Sequence, residues 1–240
     1  MDEGMTRRQK KHERTRRIMI DAAESEIMEK GFDNVTMDSI SARALLSKAT
    51  LYNYFDSKDM LFMAIRVRAY KQLTKEFQDV LDLELPPIEN VKRLGRAFYQ
   101  FGNKFPLYWQ SMRQFREGGL PLSSTGAETI HGVGPIGENN VDEMAGGTER
   151  VPREIHEYRE AVSDFLQVWV TAVARAITEG SIATDLSPRL VAIILAALTS
   201  GAIDQYQRRK GILDSMDVTE AVFMEHVLDI LHKGLEHWGE

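Results

Sequence analysis

The chain has 240 residues, of which 43% are hydrophobic and 28% charged, with a formal net charge of −6 and no cysteine. That length suffices for one large or two modest globular domains. The missing thiols exclude disulfides, thiolate zinc sites and cysteine nucleophiles, and suit a reducing cytoplasm.

The charge is unevenly placed. Residues 1–20 carry seven Lys/Arg against three acids, whereas residues 61–240 carry 19 against 25. A chain that must find and leave DNA needs only such a local positive face. The competing reading of residues 1–12 is a solvated basic arm. No leader peptide is legible in the charged N-terminus. The longest apolar run, 190–203, is broken by Thr199, Ser200 and Gly201 and falls short of the roughly 20 residues of a membrane span.

Helical periodicity dominates and predicts an all-α fold. A first helix is expected from about Glu13 to Lys30, with Met19, Ile20, Ala22, Ala23 and Ile27 inward and Gly31 as its stop. Thr36 caps a short second helix and Ser47 a short third, running to about Tyr54. A fourth helix starts near Ser57 and ends before Pro86-Pro87. Two short helices capped in this way around a tight turn at Leu45-Leu46 form a helix-turn-helix pattern.

The third helix is polar where it would meet a groove. Ser47, Lys48 and Thr50 open it; Ala49 offers a methyl; Tyr52, Asn53 and Tyr54 point outward or along the groove; Leu51 and Phe55 face inward. Asn can read adenine and Lys guanine, while Tyr, Thr and Lys suit phosphates. The DNA-contact set is therefore Thr36, Ser47, Lys48, Ala49, Thr50, Tyr52, Asn53, Tyr54 and Lys58.

Further helices are expected at about 88–105, 107–117, 153–180, 187–210 and 216–238, with a mobile loop over 118–152, where eight of the 17 glycines from Gly118 to Gly147 fall. Phe98, Phe101, Phe105, Tyr108, Trp109, Met112, Arg113 and Phe115, joined by Trp169, predict either a packed core or an apolar effector pocket. An inward arginine among them would suit an anionic amphiphile such as a fatty acyl derivative. Ala197, Gly201, Met224, Leu228, Leu231 and Leu235 form close-packing and heptad-like rows. They predict a homodimer interface; the alternative is burial in the chain's own core. His226 and Asp229 are three apart, but no tight constellation completes a metal shell. No catalytic, metal or cofactor site is legible.

The segment from Ile40 to Lys58 resembles the DNA-binding domain of TetR-family transcriptional regulators. Ala22-Ala23, Gly31, Phe32, Thr36, Thr50-Leu51-Tyr52, Phe55 and Ser57-Lys58 carry the resemblance. It implies a helix-turn-helix domain at 13–62 and a helical effector-binding and dimerisation domain at 63–240. It also implies a repressor released from a palindromic double-stranded operator by a small apolar or amphiphilic effector. An activator, an effector-independent regulator of the same fold, or a helical protein-interaction adaptor are the alternatives. Four residues depart from the pattern: Leu45 replaces the usual turn glycine, Ala49 a frequent glycine, Ser41 an alanine, and Glu26 an apolar residue.

Overall fold

The computed structural model describes residues 6–118 and 151–236. Among these, nine α-helices and no strand are found. The side chains of residues 114–118 and 236 lie outside the description, as do positions 119–150 of the expected mobile loop, His131, His237 and Trp238. The helices are α1 (Arg7–Lys30), α2 (Met37–Arg43), α3 (Lys48–Tyr52), α4 (Lys58–Val80), α5 (Pro87–Lys104), α6 (Pro106–Gly118), α7 (Arg153–Thr178), α8 (Pro188–Asp214) and α9 (Glu220–Glu236).

One expectation is corrected at once. Helix α1 begins at Arg7, so residues 7–12 of the expected basic arm are helical. The cause is local: the Thr6 hydroxyl accepts from the Gln9 backbone N–H, and the Gln9 side chain accepts from the Thr6 backbone N–H. This capping box satisfies donors that would otherwise lack partners. At the other end Gly31, at φ 74°, closes the helix through its N–H to the Ile27 carbonyl.

The chain forms two compact units. The first comprises residues 1–69 and 107–160. Its core gathers Met19, Ala23 and Ile27 of α1, Ile40 of α2, Leu51 of α3, Phe55, and Leu61 and Ile65 of α4, all under 5% exposed. Phe32 meets Phe62 edge to face, with ring centroids 5.5 Å apart. Within this unit α6 is fastened to α4 by the buried Arg66, whose Nε donates to the Ser111 carbonyl at 2.9 Å.

The second unit comprises residues 70–106 and 161–240. Phe77, Phe98, Phe165 and Trp169 cluster there, with Phe77 5.2 Å from Phe165 and 5.6 Å from Trp169. Asn90 pins the turn before α5 by donating to the Asp82 carbonyl and accepting from the Asp82 N–H. Arg96 grips Glu225 with two hydrogen bonds of 2.9 and 3.0 Å, joining α5 to α9. A Cβ on Gly95 would stand 2.8 Å from Leu228 Cδ2, so the bare glycine lets α9 close on α5.

That approach corrects the expected dimer seam. Met224, Leu228 and Leu235 are 0–3% exposed within this chain and belong to the second unit's own core. Leu231 and Gly201 are half-buried, and Ala197 is exposed. The large apolar groups that do face outward on these helices are Leu190, Leu198, Ile212, Val222 and Ile230, at 43–70% exposure. Helix α8 is long and apolar enough to cross a membrane by length and composition alone. Its buried positions, Val191, Ala192, Leu195, Thr199, Ile203 and Tyr206, recur at helical spacing as in a bundle's core helix.

Candidate nucleic-acid interface

Helices α2 and α3 are each held by a side-chain cap. Thr36 accepts from the Ser39 N–H at 3.1 Å and Ser47 from the Thr50 N–H at 3.0 Å. Between them Leu45 adopts φ 54° and is 91% exposed. A left-handed leucine costs about 1–2 kcal/mol, while glycine there costs about 0.5–1 kcal/mol in chain entropy. Leu45→Gly should therefore leave the fold unchanged or stabilise it by up to about 1.5 kcal/mol, read as a higher denaturant midpoint. A lower midpoint would mean that the leucine side chain makes interactions that offset its strain.

Leu51 and Phe55 are 0 and 1% exposed and fasten α3 to the domain, as their spacing predicts. Lys48, Ala49, Tyr52 and Asn53 are exposed on its outer face. The other expected contact residues are more committed than the sequence suggests. The hydroxyls of Thr36 and Ser47 are capping groups, and the latter lies 2.7 Å from the Thr50 hydroxyl. Tyr54 is half-buried and stacks on His12, with centroids 4.3 Å apart. Lys58 is half-buried, donates to the Val35 carbonyl at 3.3 Å and lies over the Phe62 ring. Lys48 reaches Asp38 at 2.9 Å, and that carboxylate raises its pKa.

Charge pairs brace this surface from behind. Arg16, 9% exposed, donates to Glu154 at 3.1 Å and to Glu157 at 2.8 Å, and its guanidinium lies 5.2 Å from the centre of the Phe55 ring. Arg153 links Glu157 at 2.8 Å to Glu13 at 2.7 Å, and the latter hydrogen bond holds the Glu13 carboxyl below the usual range. Arg68 reaches Asp21 at 2.6 Å and Glu24 at 3.2 Å. Burial pushes the Glu24 carboxyl up against the pull of Arg68. Apart from Arg153 with Glu157, four residues apart, these partnerships have no local sequence signal: 138 residues separate Arg16 from Glu154.

Glu26, one of the departures from the family pattern, is 3% exposed yet ion-paired. Lys30 first, then Arg43 and Ser39, hold its carboxyl down from the ordinary 4.5 to about 2. Arg43 also bonds Glu29, joining α2 to α1. A carboxyl with a lower pKa folded than unfolded contributes stability above 4.5 and loses it as the pH falls towards 2. Glu26→Gln should accordingly flatten the fall in urea midpoint between about pH 5 and pH 3. An unchanged pH profile would show that these pairs contribute nothing.

The expected effector residues divide between the two units. Phe98, Phe101, Phe105 and Trp169 belong to the second unit, whereas Tyr108, Trp109, Met112 and Arg113 belong to the first. The Phe115 side chain lies outside the described residues. Phe98, Phe101 and Trp169 are core, at 1–5% exposure. A cavity of about 420 Å³ does exist within the second unit, with other walls: Thr74, Gln78, Leu81, Leu83, Pro87, Asn90, Asp164, Gln167, Val168, Thr171, Ala172 and Arg175. Sequence reasoning missed it because aromatic content marks a core as well as it marks a pocket. His226 is exposed and Asp229 pairs with Lys233 at 2.8 Å.

Two capped helices around a tight turn, with a polar outer face and a braced inner one, define a helix-turn-helix DNA-binding protein. Residues 19–65 match the family described as bacterial regulatory proteins, tetR family, which marks this segment as a tetR-type helix-turn-helix domain. It is similar to YhgD, an uncharacterised HTH-type transcriptional regulator of Bacillus subtilis, at 28% identity over 86 residues. That match covers 36% of this chain and 45% of the relative, less than half its length. Among solved structures, a protein of unknown function from Rhodococcus sp. RHA1 shares the fold at TM-score 0.65 and 16% identity, over 93% of this chain and 96% of that one. The regulator FadR of Bacillus subtilis, solved with stearoyl-CoA, shares it at TM-score 0.57 and 13% identity, over 90% and 97%.

Proposed function

We propose that the protein is a cytoplasmic, homodimeric repressor that leaves a palindromic operator when a small amphiphilic effector occupies the second unit's cavity. The observation that carries this reading is the cavity itself. Leu81, Leu83, Pro87, Val168 and Ala172 give it apolar walls, and Arg175 supplies a cation among polar groups that include one acid, Asp164. An acyl chain with an anionic head fits that chemistry, and the likeness to a regulator solved with stearoyl-CoA supports the choice. Release follows if the effector prefers a conformation whose recognition helices no longer match half-sites spaced about 34 Å apart.

In the proposed complex Lys48, Ala49, Thr50, Tyr52 and Asn53 meet the major groove. Thr36, Ser47, Tyr54 and Lys58 hold the domain's shape beside it and approach the backbone. Leu190, Ala197, Leu198, Val222 and Ile230, rather than the buried seam of α9, face the partner subunit.

A thermal-shift series with saturated acids and CoA thioesters of graded length tests the effector. Ligand at about 100 times its Kd should stabilise the protein by about 2.7 kcal/mol, and Arg175→Ala should reduce the shift. No shift at any length in the wild type would overturn the acyl reading. Release of genomic DNA fragments by the same compound tests the repressor mechanism.

A further inference from the structure

We infer that the first three turns of α1 are a rigid phosphate-binding face that extends the DNA interface beyond the recognition helix. This rests on the DNA-binding reading and adds a second surface to it. Arg7, Arg8, Lys10, Lys11, Arg14 and Arg17 are all exposed. At about 100° per residue they fall on one half of the helix circumference. The opposite half carries Gln9, His12, Glu13 and Arg16, and its interactions fix which way it turns. His12 stacks on Tyr54, Glu13 accepts from Arg153 at 2.7 Å, and Arg16 is buried against Glu154 and Glu157. The capping box at Thr6 and Gln9 keeps the first turn wound. The cationic half is thereby held outward as part of a helix rather than left as a tail.

Its occupant follows from its neighbour and its charge. Tyr54, which His12 covers, lies two residues past the end of α3, so the first turns of α1 run beside the end of the recognition helix, with the cationic half on the side of α1 turned away from Tyr54. Arg7, Lys11 and Arg14 step along the axis by roughly 6 and 4.5 Å. A straight row of cations without an interposed acid suits a polyanion with regularly spaced charge, and each DNA strand offers one phosphate per roughly 3.4 Å of axis. Arginine's planar fork bonds phosphate through two donors.

The test uses the full chain and a duplex of random sequence, about three helical turns long, titrated over a salt series. Arg7→Gln, Arg8→Gln, Lys11→Gln and Arg14→Gln combined keep good helix formers, and circular dichroism checks that helicity is retained. The log–log slope flattens by roughly 0.9 for every phosphate the protein no longer neutralises. The quadruple variant should therefore bind with a slope about two to four units shallower than wild type. The pair Lys11→Gln with Arg14→Gln should show about half of that change. An unchanged slope in a helical quadruple variant overturns the inference while leaving the helix-turn-helix reading intact. A wild type that binds no duplex overturns that reading instead. Phosphatidylserine vesicles form the control arm: vesicle binding abolished in the variant with an unchanged DNA slope would assign the face to a membrane surface and overturn the inference.

Discussion

Arg16→Ala should destabilise the first unit by about 3–5 kcal/mol, the range for removing one partner of a buried ion pair. The reason is the state in which it leaves its neighbours. Glu154 has a side chain only 7% exposed and Glu157 one of 19%; both accept from the same guanidinium nitrogen, and only Glu157 has Arg153 as a second partner. Without it, Glu154 is a desolvated carboxylate, and the Phe55 ring loses the cation above it. The loss measures the truncation and not the worth of the pair: Arg16 Nε is buried without an acceptor, so the pairing is itself imperfect. A double variant, Arg16→Met with Glu154→Leu, should therefore recover most of the loss. Urea midpoints of wild type and both variants decide it. Equal midpoints for Arg16→Ala and wild type would show that the network is solvated in solution.

The second large effect concerns assembly. Leu198→Arg combined with Ile230→Arg places charges at positions 47 and 70% exposed in the isolated chain. Neither should disturb the fold, because neither side chain is core. If α8 and α9 meet a partner subunit there, two desolvated like charges per protomer should give a monomer by sedimentation. Operator affinity should then fall by about 10²–10⁴, the range expected when two linked half-site interactions become one. A variant that stays dimeric would move the partner face elsewhere.

What is legible in the sequence is what short-range chemistry controls. Thr36 and Ser47 cap their helices, Gly31 ends α1, and Leu51 and Phe55 turn inward, because each is settled within about four residues of chain. The capping box at Thr6 and Gln9 is equally local, and its three-residue spacing is a signal that places the start of α1 at Arg7. Burial set by distant partners is not legible. The heptad-like row of α9 reads as a dimer seam from its spacing alone. It is core because the glycine at position 95, far away in the chain, leaves room for Leu228. The aromatic group of α5 and α6 reads as one cluster because its members are close in sequence, yet they divide between two packing units. Glu26 reads as misplaced on an apolar face because nothing in the local sequence shows that Arg43 folds back beside it to join Lys30.

The Lys48–Asp38 pair gives the recognition helix an internal counterion. In the proposed complex Lys48 would exchange one anion for another, giving up its carboxylate partner as it gains a DNA group. A tally of cations on the recognition surface would thus overstate this residue's net contribution to binding. In that complex Asp38 would make an incoming phosphate compete with a carboxylate already in place.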